Sequence, residues 1–247
     1  MDQLVIDERQ AEENDRLCKL RAWVVHFYTA LGMIAGFMAA IAIGEGKAQP
    51  AAIWLALSCI IDSTDGALAR QFRVKHWLPH FDGRKLDDII DYINYTFLPM
   101  LFLYRFGLLP PSWLPVIFFV LLASAYGFCS EAAKTSDGYF TGFPSYWNFV
   151  AFYCYALGAP PVINGIILLF WAVMVFVPIK YIYPSQTPVL KWVNLTATAA
   201  LGVIMVILII DFEHPNPVLV MISLLYWVYY FGLSFYLHFR QRPARTR

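Results

Sequence analysis

The chain has 247 residues, of which 60% are hydrophobic, 17% are aromatic and only 14% are charged. Soluble domains carry roughly 25% charged residues, so a soluble globule of this composition would expose large apolar patches. Its 18 basic and 17 acidic residues give a formal net charge of +1, without the basic excess typical of nucleic-acid-binding proteins. The composition therefore excludes a disordered chain and predicts an integral membrane protein with short loops and no nucleic-acid partner.

Residues 1–21 are rich in charge and sparse in apolar side chains, so we interpret this segment as a short N-terminal interfacial helix. The rest of the chain, 22–247, contains apolar stretches near the length of about 20 residues that crosses a bilayer. We therefore predict an all-α fold, a polytopic membrane helix bundle folded as a single transmembrane domain. Eight transmembrane helices are predicted, at 22–44, 51–70, 87–105, 113–131, 146–159, 161–178, 190–210 and 217–238.

The fifth and sixth predicted helices are short and meet near Pro160 and Pro161, so residues 146–178 can form a re-entrant pair instead. The eight-helix count nevertheless agrees with the positive-inside rule. With a cytoplasmic N-terminus, only Lys47 and Arg105 of the 18 basic residues fall outside the cytoplasmic segments. Both termini are therefore expected in the cytoplasm.

Acidic residues are scarce, yet six of the 17 lie within residues 62–91. Asp62 and Asp65 are three positions apart in the second predicted span. Asp87 and Asp91 are four apart in the third, so each pair projects from one helix face. Carboxylates on two facing antiparallel helices cannot all ionise without cations between them, and their oxygens suit hard divalent ions. The pattern predicts two Mg²⁺ or Mn²⁺ ions at the cytoplasmic interface, with Asp62, Asp65, Asp87 and Asp91 as ligands.

The residues around these aspartates indicate what the ions hold. Gly66, Ala69 and Gly83 are small, which lets a ligand or a neighbouring helix approach closely. Arg70 offers a planar guanidinium group that suits phosphate oxygens. Divalent ions, an arginine and small residues together predict a pyrophosphate site. The alternatives are helix packing for Gly66, a positive-inside role for Arg70 and a capping cluster without metal for the aspartates.

An ion- or proton-coupled transporter is the alternative from another functional class, because intramembrane carboxylates also occur in transporters. The acidic stretch lies at the predicted cytoplasmic edge rather than the midplane, and the sequence shows no repeated half. Both features favour an enzyme.

Written out, the stretch is Asp62-x2-Asp65-Gly66-x2-Ala69-Arg70-x12-Gly83-x3-Asp87-x3-Asp91. It resembles the signature of the CDP-alcohol phosphatidyltransferase family, with all eight defining positions at similar spacing. The long gap of 12 residues looks like the phosphatidylcholine synthase branch, as do segments 26–32 and 141–148. The resemblance covers nearly the whole chain. It implies that residues 22–247 form a single transmembrane CDP-alcohol phosphatidyltransferase domain.

The resemblance implies a transfer of the phosphatidyl group from CDP-diacylglycerol to choline, with release of CMP. It implies that Asp62, Asp65 and Asp87 bind the divalent ions that hold the CDP pyrophosphate. By the same resemblance, Asp91 corresponds to the fourth motif aspartate, which implies that it acts as the general base and also contacts the metal. The CDP-diacylglycerol site is then lined by Asp62, Gly66, Ala69, Arg70 and Gly83. A sibling transferase that uses serine, inositol or glycerol phosphate as acceptor is the alternative.

The resemblance also implies a location and a state of assembly. A multi-pass protein of the bacterial inner membrane is expected, with its active site facing the cytoplasm and phospholipids as its surroundings. The family suggests a homodimer.

A quaternary ammonium donates no hydrogen bonds and is usually held by aromatic faces, sometimes with a carboxylate. We therefore predict that choline binds to Tyr92, Glu131, Tyr146 and Trp147. The alternatives are that Tyr146 and Trp147 anchor the chain at the membrane interface and that Glu131 pairs with Lys134 on the surface.

Overall fold

The computed structural model describes residues 2–240, with side chains from residue 12 onward, and these residues form a bundle of helices. The helices are α1 (Asp2–Gly44), α2 (Ala48–Gln71), α3 (Val74–Trp77), α4 (Gly83–Asp91), α5 (Leu98–Arg105), α6 (Leu114–Cys129), α7 (Trp147–Ala156), α8 (Pro161–Met174), α9 (Lys191–Ile210) and α10 (Pro217–Arg240). A π-helical turn (Tyr92–Phe97) joins α4 to α5, and short 3₁₀ turns occur at Pro111–Trp113 and Glu131–Ala133. The mainly helical prediction is confirmed.

Five helical segments in the described part of the chain are long and apolar enough to cross a membrane. They are Glu12–Gly44, Ala48–Gln71, Pro111–Cys129, Lys191–Ile210 and Pro217–Arg240. Many large apolar side chains on these helices are exposed in the isolated chain, as expected for surfaces that contact lipid. The chain is therefore a multi-pass membrane protein.

The predicted interfacial segment and the first predicted span form one unbroken helix, α1. Residue 1 of that segment and residues 241–247 of the predicted transmembrane domain lie outside the described residues. The fifth and sixth predicted spans correspond to α7, with 10 residues, and α8, with 14 residues. At 1.5 Å per residue, each is shorter than the roughly 30 Å hydrocarbon layer.

The third predicted span is a composite of α4, the π-helical turn and α5, and it packs tightly against α1. A Cβ atom on Gly32 would lie 2.9 Å from Cγ2 of Ile90, and one on Gly36 would lie 2.7 Å from Oδ1 of Asn94. The Asn94 amide donates to the carbonyl oxygens of Gly32 and Ile90, at 3.1 and 3.0 Å. These contacts hold the π-helical turn against α1, and such turns occur frequently at functional sites.

Two short antiparallel strands, β1 (Tyr139–Thr141) and β2 (Lys180–Ile182), connect the loop after α6 to the loop after α8. The ammonium of Lys180 lies 2.5 Å from a carboxylate oxygen of Asp137 and adds an ion pair between the same two loops. We call these loops, residues 130–145 and 175–190, the cap. The strands were not predicted, because three-residue strands carry little periodicity in the sequence.

Candidate functional site

Three carboxylates converge where α2 faces α4. One oxygen atom from each of Asp62, Asp87 and Asp91 lies within 4.8 Å of the other two. The three side chains, which we call the aspartate cluster, are half-buried and line one cavity. Because divalent cations prefer several oxygen ligands around one point, the aspartate cluster can bind a metal ion.

Local structure explains how the cluster forms. Asp62 projects from α2, while Asp87 and Asp91 project from successive turns of α4 and therefore share one face. The N-terminus of α4 is capped by Asp82, whose side chain accepts a hydrogen bond from the Lys85 backbone N–H at 3.1 Å. This hydrogen bond from Lys85 to Asp82 sets the residue at which α4 begins, and with it the position of both cluster aspartates.

Gly83, at the start of α4, lies directly against α1. A Cβ atom on Gly83 would lie 2.5 Å from Cε1 of His26, which is too close for any real contact. The His26 ring is only 7% exposed and is held by Phe81, at 4.4 Å between ring centroids, and by Trp23, at 5.9 Å. Helix contact alone therefore requires a glycine here, and the predicted nucleotide-binding role of Gly83 stays a prediction.

Tyr95 contributes to the site without having been predicted. Its hydroxyl donates a 2.7 Å hydrogen bond to Oδ2 of Asp62. The Asn148 amide donates to Sγ of Cys59 at 3.1 Å, and that sulfur also lies beside Tyr95. All four side chains line the same cavity. The bond from Tyr95 occupies one of the two carboxylate oxygens of Asp62.

Asp65 lies apart from the aspartate cluster. It is only 7% exposed and is placed beside Thr29 of α1. Three residues in an α-helix span about 300°, so Asp65 is turned about 60° from Asp62 around the axis of α2. The structure therefore brings three of the four predicted metal ligands together and places the fourth nearer to α1.

The other predicted residues of the nucleotide site lie near the C-terminal end of α2. A Cβ atom on Gly66 would meet only Nη1 of Arg70, at an ordinary 3.5 Å, so no protein contact requires a glycine there. Arg70 is exposed and forms no ion pair with any described residue. Ala69 packs beside the buried side chains of Ala22 and Val74. Gly66 and Arg70 thus leave an open surface one turn beyond the cluster.

Lys134, in the cap, lies beside these carboxylates. Its ammonium is 3.5 Å from an Asp88 oxygen, and the side chain lines the cavity of the cluster. Although partial burial lowers it, the carboxylates of Asp88 and Asp87 hold the pKa of Lys134 above its usual value. A fixed positive charge therefore lies at the mouth of the acidic site.

A cavity of about 610 Å³ begins at the aspartate cluster and continues between α2 and α9. Near the cluster its walls are polar and aromatic, with side chains from α2, the π-helical turn and the cap. Farther along it is apolar, lined by Ala52, Leu55, Ala56, Leu201, Met205 and Ile209. The site therefore joins an acidic, polar chamber to an apolar channel within the membrane-spanning part of the bundle.

The predicted choline-binding residues do not converge. Tyr146 lines the cavity of the cluster. Trp147 is fully buried, and its indole N–H donates to Oγ of Ser124 at 2.7 Å. Trp147 is the first residue of α7, whereas Tyr146 is its N-cap with a non-helical backbone (φ −76°, ψ 46°), so the two side chains face different surroundings. Trp147 lines neither this cavity nor the smaller one of about 290 Å³ under the cap.

The two remaining predicted residues also lie outside the main cavity. The Tyr92 hydroxyl donates to the carbonyl oxygen of Leu121 at 3.1 Å, which turns the ring toward α6. Glu131 is exposed and borders the smaller cavity. Of the four predicted residues, only Tyr146 therefore faces the aspartate cluster.

Tyr95, Tyr183 and Asn148 line the main cavity and were all missed from the sequence. Tyr95 follows Asp91 by four positions, and that spacing could have indicated a shared helix face. Tyr183 lies in a loop far along the chain from the acidic stretch, where no local pattern marks it. Only the pairing of β1 with β2 brings it to the site.

Comparison with known proteins adds independent information. A family model described as CDP-alcohol phosphatidyltransferase matches residues 23–179. A protein named phosphatidylcholine synthase from Legionella pneumophila is 38% identical over 224 residues, which cover 87% of this chain and 88% of its own. Proteins of the same name from Pseudomonas aeruginosa and Borreliella burgdorferi are 35% and 36% identical. Those matches cover 87% and 90% of this chain and 91% and 96% of the relatives.

Proposed function

The chain belongs to the CDP-alcohol phosphatidyltransferase family, and we propose that it acts as a phosphatidylcholine synthase. In this reaction the choline hydroxyl attacks the β-phosphorus of CDP-diacylglycerol, phosphatidylcholine forms and CMP leaves. The relatives that match most of the chain carry the name of this activity. The enzyme is thus a transferase that uses one lipid substrate and one small cationic alcohol.

The observation that carries this proposal is the shape of the main cavity. An acidic chamber around the aspartate cluster opens into an apolar channel between α2 and α9. A substrate with a charged diphosphate at one end and acyl chains at the other matches both parts. A soluble metabolite would leave the apolar channel exposed, at a cost of roughly 25 cal/mol per Å² of apolar surface.

The donor set fits a divalent cation, because three carboxylates offer oxygen atoms around one point. We assign Asp62, Asp87 and Asp91 as the central ligands of two Mn²⁺ or Mg²⁺ ions, with Asp65 as the outlying ligand. When bound, such ions neutralise the pyrophosphate and stabilise the departing CMP. Tyr95 orients Asp62 by donating to one of its two oxygens.

Asp91 is the residue we assign as general base. The choline hydroxyl is a weak nucleophile until its proton is removed, and a positioned base accelerates such steps about 10²- to 10⁴-fold. Asp91 is four residues beyond Asp87 on α4 and lines the cavity, so a substrate bound at the cluster lies within its reach. Its carboxylate accepts the hydroxyl proton as the new ester bond forms.

The nucleotide is proposed to lie against the C-terminal part of α2. Gly66 leaves room for a ligand, and the unpaired guanidinium of Arg70 can donate to phosphate oxygens. Gly83 and Ala69 act by letting the surrounding helices approach closely. Lys134 contributes further positive charge beside the cluster.

We also propose a topology for the chain in the bacterial inner membrane. Eight membrane-embedded segments follow when the composite of α4 and α5 counts as one and α7 and α8 count as two. Residues 1–21 would lie at the interface, and 22–247 would form one domain. Both termini and the aspartate cluster then face the cytoplasm, and a homodimer is the proposed assembly.

The decisive experiment supplies the purified chain with CDP-diacylglycerol and Mn²⁺, adds one acceptor at a time, and measures CMP. We expect CMP release with choline and much less with serine, inositol or glycerol 3-phosphate. Turnover with another acceptor alone would contradict the choline assignment and point to a sibling transferase. If no acceptor gives metal-dependent CMP release, the transferase proposal is contradicted and the alternative of an ion-coupled transporter is favoured.

A further inference from the structure

The chamber beside the aspartate cluster contains two tyrosines that the mechanism above does not use. Tyr146 comes from the N-terminus of α7, and Tyr183 follows β2 in the cap. Both rings line the main cavity. Each also lies within electrostatic range of Asp62, and Tyr183 is in range of Asp87 as well. Two aromatic surfaces and two carboxylates therefore surround the same space.

The position of Tyr183 is strongly constrained. Its ring stacks on Phe140 of β1, with 4.3 Å between centroids and 22° between planes. Its backbone N–H donates to Oγ1 of Thr187 at 2.8 Å, and its carbonyl accepts from the Thr187 N–H at 2.8 Å. The ring is therefore already oriented in the described structure, so its ordering entropy need not be lost when a ligand binds.

Tyr146 is held from the opposite side of the chamber by α10. Its ring lies 5.7 Å from that of Trp227 and 5.9 Å from that of Tyr230, measured between centroids. These contacts leave one part of the Tyr146 ring toward the cavity. The chamber thus has one aromatic wall from the cap and another from the helix bundle.

The charge of the cavity lining favours a cationic guest. Three aspartates line the cavity, whereas Lys134 is the only basic residue among its described lining residues. A quaternary ammonium cannot donate N–H hydrogen bonds, so only aromatic faces and nearby negative charge can recognise it. The chamber offers both, next to the carboxylate that we assign as the base.

We propose that Tyr146 and Tyr183 hold the trimethylammonium group of choline, which places its hydroxyl toward Asp91. This assignment depends on the proposed function and replaces Tyr92, Glu131 and Trp147 as candidates for the acceptor site. The two tyrosines determine specificity, since a primary amine or a neutral polyol gains less from aromatic faces than a methylated cation does.

The test compares the choline KM of the purified full-length chain with that of Tyr183→Ala. We expect the choline KM to rise about 10-fold, a larger change than that in kcat, whereas the CDP-diacylglycerol KM should stay within about twofold of the unchanged protein. Tyr183→Phe keeps the aromatic face and should retain nearly the original choline KM. Tyr104→Ala, an exposed residue of α5 outside the cavity, is the control.

A second measurement separates recognition of charge from simple filling of space. The neutral isostere 3,3-dimethylbutan-1-ol has the shape of choline without its charge. It should be a poor acceptor for the unchanged protein. In Tyr183→Ala, the ratio of kcat/KM for choline to kcat/KM for the isostere should be smaller than in the unchanged protein. Tyr146→Ala should act in the same direction, and its unfolding temperature shows whether loss of the Tyr230 contact disturbs the fold.

The outcomes distinguish this inference from the proposed function. If the unchanged protein shows no choline-dependent CMP release, both fail together. If it is active with choline, and neither tyrosine variant alters the choline KM or the discrimination against the isostere, only the tyrosine assignment is overturned.

Discussion

The acidic end of the bundle and the aromatic wall opposite it are built by different means. At the acidic end, side chains of neighbouring helices lie so close to the backbone of Gly32, Gly36 and Gly83 that these positions have no room for a Cβ atom. Those contacts hold the composite helix that carries Asp87 and Asp91 against α1. The positions of the carboxylates are therefore set by contacts between glycine backbone and neighbouring side chains, which a single methyl group would disturb.

The aromatic wall is instead made of side chains that pack against one another. Its rings lie about 5–6 Å apart in mixed edge-on and stacked arrangements and belong to Tyr146, Phe149, Trp227, Tyr230 and Phe231. Such packing can adjust when one ring is changed, because several neighbours share each contact. Substitutions at the acidic end should therefore reduce catalysis, whereas those in the wall should alter stability or acceptor binding.

The largest effect is expected at the proposed base. Asp91→Asn keeps the size of the side chain but cannot accept the hydroxyl proton, so kcat should fall about 10²- to 10⁴-fold. The rate of CMP release measures this effect. Asp88→Asn, which changes a carboxylate on α4 outside the cluster, should stay within a few-fold of the unchanged protein. A fully active Asp91→Asn enzyme would refute the base assignment.

A methyl group at the α1–α4 contact should be almost as damaging. Gly83→Ala places a Cβ against the His26 ring, so either that ring or α4 must shift, and a misplacement of the α4 carboxylates by about 1 Å can cost about 100-fold in activity. The double variant His26→Ala with Gly83→Ala removes the clash and should recover part of the loss. Gly202→Ala, which meets nothing within 4 Å, is the matched control. Equal activity of all three would show that the close approach is unimportant.

Trp147, which follows Tyr146 of the aromatic wall in the chain, tests stability rather than catalysis. Trp147→Ala removes a fully buried indole and its hydrogen bond to Ser124, so the free energy of unfolding should fall by about 3–5 kcal/mol. Unfolding in detergent followed by fluorescence measures this change. The choline KM of the folded fraction should be unchanged, and a raised KM would instead restore the predicted contact between Trp147 and choline.

Tyr95 tests whether the acidic end also depends on a side-chain contact, because its hydroxyl holds the Asp62 carboxylate. Tyr95→Phe removes the hydrogen bond to Asp62 and should weaken Mn²⁺ binding by about 10-fold, as loss of such supporting partners commonly does. Titration of bound Mn²⁺ by electron paramagnetic resonance gives this value without any measurement of activity. Tyr153→Phe loses hydrogen bonds with Ser223 and Trp227, and none of these three residues lines the main cavity, so this variant should bind Mn²⁺ as before.

The smallest effect is expected in the cap, at the Lys180–Asp137 pair. The hydrogen bond from Lys180 lowers the pKa of Asp137, so the pair stabilises the folded state above the usual carboxyl pKa. That contribution is lost as pH falls through the lowered value. Because Asp137 is about half exposed, Asp137→Asn should lower the unfolding temperature at pH 7 only slightly, and less in high salt. A large, salt-independent decrease would show that the cap depends on this pair.

Much of the site was accessible from the sequence, because it depends on spacing within single helices. The apolar composition predicted a membrane protein, and the four-residue spacing of Asp87 and Asp91 predicted that their carboxylates would share a helix face. The written-out motif predicted the family, which the comparisons confirm. These features are local or compositional, so they can be predicted without knowing how the helices pack.

What the sequence could not supply are the contacts that depend on helix rotation and on distant loops. Asp65 turns toward α1, and Trp147 turns away from the cavity that its neighbour Tyr146 lines. Tyr95 reaches Asp62 through a π-helical turn, and Tyr183 arrives through the pairing of two short strands. The sequence by itself determined which chemistry the chain carries. Only the packing of the helices decided which side chains face that chemistry, because about 100° of rotation separates one residue from the next.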